Sequence, residues 1–284
     1  MIAFLGRSVS GYMVVTRRWV VAVTLALAII TVAATLALFL FRSAGFEYND
    51  PFDPLPSRPA QGTGTDVGRA PDSQRRLDAF LRFVFTDVQR FWARTLERSG
   101  VQYAPATLVV FERPIMTGCG PASPAVGPFY CALDRRVYLE AGFFRELAVE
   151  FHAPGDFADA YVVAHEMGHH VQNLAGILAQ VMAAARNGSA PPNELSIRLE
   201  LQADCFAGVW GHSTYERGML ERGDLEEALR ATAAVGDDRI QRRTIGRIDP
   251  ETWTHGSSEQ RRSWWLRGYT TGDPDACDTF SDGV

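Results

Sequence analysis

A pentapeptide in the middle of the chain has the residue types of a metal-dependent hydrolase. His165-Glu166-Met167-Gly168-His169 matches the pattern H-E-x-x-H. On an α-helix, residues four apart lie on one face, so His165 and His169 can both point at a single ion while Glu166 lies beside it. Such a site suits zinc with an open coordination position, because the ion polarises a water and Glu166 can accept its proton as the water attacks a carbonyl. The expected reaction is metal-assisted hydrolysis of an amide, and the alternative is a chance match on a buried helix.

The third ligand of this ion has to come from a later segment of the chain. Metzincins extend the motif with a glycine and a further histidine, but Gln172 and Ala175 occupy those positions here. A predicted helix at 196–210 instead offers Glu200 and Asp204, which lie four residues apart and hence on one face. We expect Glu200 to bind zinc and Asp204 to accept a hydrogen bond from a ligand histidine. The alternative is that both are solvated charges, although most other residues of this helix are apolar.

The composition is typical of one main folded domain with an appendage. Hydrophobic residues make up 46% of the 284 positions, and the formal net charge is −5. All 28 basic residues are arginine, because the sequence contains no lysine. The sequence shows no nucleic-acid-binding signature, so we expect no nucleic-acid partner.

An uncharged apolar segment near the N-terminus predicts a membrane anchor. Residues 19–41 contain no charge, glycine or proline, and as a helix they would extend roughly 34 Å, enough for a hydrocarbon core of about 30 Å. A cleaved signal peptide is the alternative, with Ser43-Ala44-Gly45 as a weak cleavage site. Three arginines precede the segment and only Arg42 follows it immediately, so residues 1–18 should be cytoplasmic. We therefore expect a single-pass protein of the cell membrane whose catalytic domain is extracytoplasmic.

The rest of the chain divides into a linker and a catalytic domain. Residues 42–71 are rich in proline and lack periodicity, as in a tether. Residues 72–284 should form an α+β domain of zincin-like fold, mostly helical with a small β-sheet. The predicted elements are a helix from Asp72 to Gly100, a strand at 107–111, a hairpin of 129–131 with 136–139, and helices at 142–151, 157–186, 196–210, 224–230 and 231–240. The predicted N-caps are Asp156 for the helix at 157–186 and Asn193 or Ser196 for the helix at 196–210.

Four cysteines without a C-x-x-C pair favour two disulfides over a cysteine metal cluster. Cys119 and Cys131 bracket a loop rich in glycine and proline, where a disulfide would close a segment with few other contacts. Cys205 lies on the predicted ligand helix and Cys277 near the C-terminus. A bond between these two would pin the tail over the site helix, whereas two free thiols are the alternative.

Longer strings around these motifs resemble a known family. The strings are F-A-D-A-Y-V-V-A-H-E-M-G-H-H-V-Q-N-L, R-L-E-L-Q-A-D-C-F-A-G-V-W, T-H-G-S-S-E-Q-R and C-D-T-F. They are similar to those of the bacterial family called putative neutral zinc metallopeptidases, over residues 75–280. The segment E-L-Q-A-D-C-F-A also resembles the E-x-x-A-D segment of the membrane zinc proteases that process prenylated CaaX proteins. That resemblance implies that Glu200 binds zinc.

The same resemblance implies a role for His255. In the prenyl-protein proteases a histidine lies near the zinc, with an arginine at the spacing that separates His255 from Arg261 here. His255 therefore resembles a donor of a hydrogen bond to the tetrahedral oxyanion, and the alternative is a histidine that caps a loop. We expect Tyr161 to line the cleft. The remaining histidines are expected to be structural, namely His152, His170 and His212.

Together these observations predict a membrane-anchored zinc endopeptidase that acts on a peptide or protein substrate. His165, His169 and Glu200 would bind Zn²⁺, Glu166 would activate the water, and a substrate strand would add to a sheet edge above the metal helix. Two alternatives remain open at this point. One is a catalytically inactive, membrane-tethered partner protein that keeps zinc as a structural ion, and the other is a zinc hydrolase that acts on a cell-wall amide.

Overall fold

The structure is a computed structural model that describes residues 72–281 of the chain. Most of these residues are helical. The helices are α1 (Asp72–Arg98), α2 (Ala141–Val149), α3 (Asp156–Leu174), α4 (Ile177–Arg186), α5 (Pro192–Glu216), α6 (Asp224–Ala234), α7 (Asp237–Thr244) and α8 (Ser258–Thr271). The strands are β1 (Thr107–Phe111), β2 (Ile115–Thr117), β3 (Gly120–Ala122), β4 (Phe129–Cys131) and β5 (Arg136–Glu140). The prediction of a mostly helical α+β domain with a small sheet is confirmed.

Three predicted segments lie outside the described residues: the cytoplasmic N-terminus at 1–18, the membrane helix at 19–41 and the linker at 42–71. Within residues 72–281, none of the helices combines the length and the apolar character that crossing a membrane requires.

The main sheet has three strands in the order β1-β5-β4. β1 runs parallel to β5, whereas β4 and β5 form the predicted antiparallel hairpin. A second, two-stranded sheet of β2 and β3 occupies the glycine- and proline-rich loop and was not predicted. The predicted disulfide between Cys119 and Cys131 is present and ties this loop to β4. The disulfide therefore links the loop that carries β2 and β3 covalently to the main sheet.

The helix α3 lies at the centre of the helical core. Fourteen of its nineteen residues are buried, and they include both apolar side chains and polar residues of the motif. It packs against α1, α5 and α6, so neighbouring helices cover several of its faces. The core extends to α1 through Trp92, which meets the ring of Phe206 on α5 edge to face at 5.2 Å.

Several helix boundaries differ from those predicted. The predicted helix at 157–186 is two helices, because Gly176 adopts a left-handed conformation (φ 75°) between α3 and α4. Asp156 does not cap α3; the backbone N–H of Phe157 instead donates to Glu227 Oε2 at 3.1 Å. The ligand helix α5 begins earlier than predicted, after Pro191, and neither of the predicted caps closes it. The boundary between α6 and α7 lies at 235–236, and α8 was not predicted.

Carboxylates gather where α3 begins beside α6, and this makes the stability of the fold depend on pH. Burial, followed by the charges of Asp156 and Glu227, raises the pKa of Asp159 to about 7 from 3.8. The folded state therefore holds this proton more tightly than the unfolded state. Stability is lost as the pH rises from about 4 to about 7, by up to ~4 kcal/mol.

We accordingly expect Asp159→Asn to raise the free energy of unfolding, and to raise it more at pH 8 than at pH 5. The amide keeps the shape of the carboxyl group but cannot ionise. Urea unfolding at both pH values measures the effect, with Asp249→Asn as the control for a carboxylate away from this cluster. An equal gain at the two pH values would contradict the assignment of the pH dependence to Asp159.

Candidate metal centre

The two histidines of the H-E-x-x-H motif face the glutamate that was predicted on the later helix. His165 Nε2 lies 3.1 Å from Glu200 Oε2, and His169 Nε2 lies 3.3 Å from Glu200 Oε1. One ligand atom from each of the three residues lies within 4.8 Å of the others. The helices α3 and α5 can approach this closely because position 168 is glycine, where a Cβ would lie 2.9 Å from the carbonyl oxygen of Ala203.

The ring orientation of His165 is set by Asp204. This carboxylate is fully buried, and its Oδ1 lies 2.8 Å from His165 Nδ1. Burial raises the pKa of Asp204, but Arg261 and His165 outweigh it and hold the pKa below its usual value. Because an ionised carboxylate only accepts hydrogen bonds, His165 Nδ1 carries the hydrogen. The lone pair of a neutral His165 ring is therefore on Nε2, which faces Glu200.

The ring of His169 is held in the same way by an amide. Gln172 Oε1 lies 2.9 Å from His169 Nδ1, while Gln172 Nε2 donates to the backbone carbonyl of Leu199 at 2.7 Å. A carbonyl can only accept, so the amide nitrogen must face Leu199 and the amide oxygen must face the histidine. His169 therefore also carries its hydrogen on Nδ1 and presents Nε2 to Glu200.

This arrangement requires a positive charge between the two rings and the carboxylate. Two Nε2 lone pairs aimed at carboxylate oxygens would repel them, unless the rings are protonated or a cation lies between the groups. Burial lowers the pKa of His165, but the charges and hydrogen bonds of Asp204 and Glu200 raise it to about 10. Two imidazole nitrogens and a carboxylate oxygen are the ligand set of a catalytic zinc. The residues present thus fit the ion that the motif predicted.

Glu166 supplies a buried carboxylate next to this ligand set. It is 7% exposed, and its Oε2 has no hydrogen-bond partner among the residues that the structure describes. Burial raises the pKa of Glu166, although the charges of His165 and His169 oppose the rise. A buried acceptor with an empty hydrogen-bonding position is the feature that a base for water activation requires.

Arg261 is the main feature of the site that the sequence did not predict, since it was noted only for its spacing from His255. Its side chain is 3% exposed and binds Asp204 with two hydrogen bonds, Nε to Oδ2 at 2.7 Å and Nη2 to Oδ1 at 3.0 Å. It also donates to the hydroxyl of Tyr161 at 3.2 Å, and that hydroxyl donates to Asp204 Oδ1 at 2.6 Å. Tyr161 therefore belongs, with Asp204 and Arg261, to the hydrogen-bond network that orients His165.

His255 is not one of the three converging residues. Its Nδ1 lies 3.1 Å from Asp237 Oδ1, and its side chain is 46% exposed. Asp237 Oδ2 also accepts the backbone N–H groups of Thr254, His255 and Gly256, at 2.8, 2.6 and 3.0 Å. Burial lowers the pKa of His255, but Asp237 and the nearby charge of Glu200 raise it overall. Asp237 thus fixes the loop by accepting three of its backbone N–H groups.

The other histidines lie outside the metal centre. His170 is fully buried on a different side of α3, where its nitrogens lie 2.9 Å from the hydroxyl of Tyr130 and 2.9 Å from the carbonyl of Ala104. His212 Nδ1 lies 2.7 Å from the carbonyl of Tyr269. These contacts fit the structural roles that were expected. The disulfide between Cys205 and Cys277 is present, which resolves the alternatives that the sequence left open.

Comparisons with known proteins place these motifs in one family. A family model described as "Putative neutral zinc metallopeptidase" matches residues 25–280. The chain is 46% identical over 206 residues to the protein YpfJ of Escherichia coli (strain K12), which covers 72% of each chain. It is 42% identical over 242 residues to the protein Rv2575 of Mycobacterium tuberculosis (strain ATCC 25618 / H37Rv), which covers 80% of each chain. Both relatives are named as uncharacterized proteins, and no solved structure matches the chain.

Proposed function

The chain belongs to the family described as putative neutral zinc metallopeptidases, and from that premise we propose that it is a membrane-anchored zinc endopeptidase that hydrolyses peptide bonds. The observation that carries the proposal is the convergence of His165, His169 and Glu200 beside a buried carboxylate oxygen of Glu166 without a partner. The length and apolar character of residues 19–41 support the anchor, and the arginines around them support an extracytoplasmic catalytic domain. We further propose that the fold is zincin-like, because the motif helix and the later ligand helix pack beside a small sheet.

The proposed roles follow from the contacts of each side chain. Zinc, when bound by His165, His169 and Glu200, supplies a Lewis acid that polarises a water and the peptide carbonyl. Glu166 would accept the proton of the attacking water at Oε2, which has no hydrogen-bond partner among the described residues, and would return it to the leaving amine. Asp204 keeps His165 in the tautomer that presents Nε2.

His255 is proposed to stabilise the oxyanion. Its Nδ1 carries the hydrogen that faces Asp237 Oδ1, so Nε2 can donate only when the ring is protonated. Asp237 and the charge of Glu200 raise the pKa of His255, which favours the protonated ring and hence a donor to the oxyanion.

The substrate is proposed to bind as an added strand along an edge of the main sheet, whose two edge strands are β1 and β4.

The test is cleavage by the full-length protein purified in detergent with its disulfides intact. Zinc content is measured first, and the protein is then given a broad peptide library together with cell-wall muropeptides. We expect cleavage of peptides that stops when a chelator removes zinc and returns when zinc is restored. Cleavage of the muropeptide amides alone would instead identify a cell-wall hydrolase. Zinc-loaded protein that cleaves neither class, with four protein ligands in its X-ray absorption spectrum, would identify a structural ion.

Replacement of His255 by phenylalanine tests the oxyanion role. We expect kcat/KM to fall by about 10²- to 10³-fold, since one such donor contributes roughly 2.7 to 4 kcal/mol. Zinc content should not change, because His255 is not among the converging ligands. His152→Phe, a histidine without contact to the metal centre in the described structure, is the matched control. Unchanged catalysis in folded His255→Phe protein would remove His255 from the site.

A further inference from the structure

A chain of buried amides joins His169 to the C-terminal tail of the protein. Gln172 and Gln202 are 0% and 1% exposed. Gln172 Oε1 faces His169 Nδ1 at 2.9 Å, and Gln172 Nε2 donates to Gln202 Oε1 at 3.1 Å. Gln202 Nε2 in turn donates to the backbone carbonyl of Cys277 at 3.0 Å. Three hydrogen bonds thus lead from the metal centre to the tail, and we call Gln172 and Gln202 the amide relay.

The direction of this relay is fixed by its far end. The carbonyl of Cys277 can only accept, so the NH₂ group of Gln202 must face it and the oxygen of Gln202 must face Gln172. The NH₂ group of Gln172 then donates to that oxygen and to the carbonyl of Leu199. Its own oxygen is left to face His169. Two backbone carbonyls therefore determine which nitrogen of His169 carries the hydrogen, and hence which nitrogen can bind zinc.

The tail that ends the relay is held against the ligand helix at two further points. Cys277 forms the disulfide with Cys205 on α5, and the hydroxyl of Thr279 donates to the carbonyl of Arg198 at 2.7 Å. Cys277 and Thr279 are fully buried. The tail that ends the relay is thus anchored to the ligand helix by a covalent bond and by the hydrogen bond of the Thr279 hydroxyl.

We propose that Gln172 and Gln202 are positioning residues of the metal centre, and that through them the Cys205–Cys277 bond is coupled to zinc binding. The inference rests on the proposed function, because it takes His169 as a zinc ligand. With the bond closed, the carbonyl of Cys277 holds the relay in the orientation that presents His169 Nε2. With the bond open, the tail loses its covalent anchor and the relay loses its fixed end.

The first experiment measures the zinc dissociation constant of the purified full-length protein by competition with a chelator. We expect Gln172→Leu to weaken zinc binding by about 10- to 100-fold, the usual effect of removing a partner of a metal-bound histidine. Gln202→Leu should weaken it less, because Leu199 still holds one N–H of Gln172. Gln89→Leu is the control for the loss of a partly buried glutamine, since its hydrogen bonds go to Tyr103 and to the backbone N–H of Ala106 and not to one of the three converging residues.

The second experiment compares the two disulfides of the same protein. Replacing Cys205 and Cys277 together by alanine should weaken zinc binding by about 5-fold or more, within the range of known coupling between sites. The matched replacement of Cys119 and Cys131 should leave zinc affinity unchanged. Combined with Gln202→Leu, loss of the Cys205–Cys277 bond should add little, because the relay is already broken. If the bond contributes only to the stability of the fold, its loss should weaken zinc binding by the same factor in the Gln202→Leu protein as in wild type.

The outcomes separate this inference from the function it builds on. Wild-type protein that binds no zinc would refute the proposed function, and the relay with it. Tight zinc binding by wild type together with an unchanged affinity in folded Gln172→Leu protein would refute the relay alone. Equal effects of the two disulfides, or full additivity with Gln202→Leu, would refute the coupling to the tail and leave the zinc site in place.

Discussion

Glu166→Gln is expected to keep zinc bound while peptide cleavage falls by about 10²- to 10⁴-fold, the usual contribution of a positioned general base. Glutamine has nearly the same shape as glutamate but cannot accept the proton of the attacking water. Zinc content should be unchanged, because Glu166 is not one of the three converging ligands. The fold should not suffer either, since burial raises the pKa of Glu166 and the neutral amide removes a costly buried charge.

The measurement is kcat/KM on a cleaved library peptide, with zinc content and thermal unfolding recorded on the same samples. Glu226→Gln, an exposed glutamate on α6, is the matched control and should behave as wild type. Undiminished turnover would reject Glu166 as the base. Loss of zinc from folded Glu166→Gln protein would mean that this carboxylate takes part in holding the ion.

The residues of the proposed metal centre were accessible from the sequence because local geometry carries most of the information. His165 and His169 share one helix, so their spacing alone places them on one face. Glu200 lies 35 positions after His165. Its role was predicted because zinc needs a further protein ligand and because the segment around Glu200 resembles that of other zinc proteases. The structure brings all three together.

The hydrogen-bond partners that orient the ligand histidines could not be predicted from the sequence in the same way. Arg261 is one of 28 arginines in a chain without lysine, and no local pattern distinguishes a buried arginine from a solvated one. Its partner Asp204 is 57 residues away in the sequence, so only the packing of α8 on α5 shows the pair. Gln172 was noted as a departure from the metzincin pattern, and its contact with His169 depends on the backbone of a different helix.

The fold was predictable to a similar extent. Hydrophobic periodicity located α1, β1 and the hairpin of β4 and β5, since each has a continuous apolar face. It failed at Gly176, where the apolar pattern continues through a change of chain direction that depends on the left-handed conformation of one residue. It also failed for α8, whose charged and aromatic residues show little helical segregation, although a capping box at Ser257 and Gln260 marks its start.

Arg261→Met is expected to lower the free energy of unfolding of the metal-free protein by about 3 to 5 kcal/mol, the usual cost of breaking a buried ion pair from one side. Methionine keeps much of the length of the side chain but none of its charge. Asp204 would remain fully buried and would lose two charge-assisted hydrogen bonds. Burial alone raises the pKa of Asp204, and Arg261 is the largest of the charges that oppose this rise.

Urea unfolding in the presence of a chelator measures this cost, and a double variant separates charge from packing. Combining Arg261→Met with Asp204→Asn removes both buried charges, so stability should recover by a large part of the loss. Zinc affinity should not recover with it, because the neutral amide is a weaker acceptor for His165 Nδ1–H than the carboxylate. Arg217→Met, which breaks a more exposed ion pair with Asp87, is the control and should cost about 1 kcal/mol or less. If the double variant is no more stable than Arg261→Met alone, the loss stems from packing and the ion pair is not its cause.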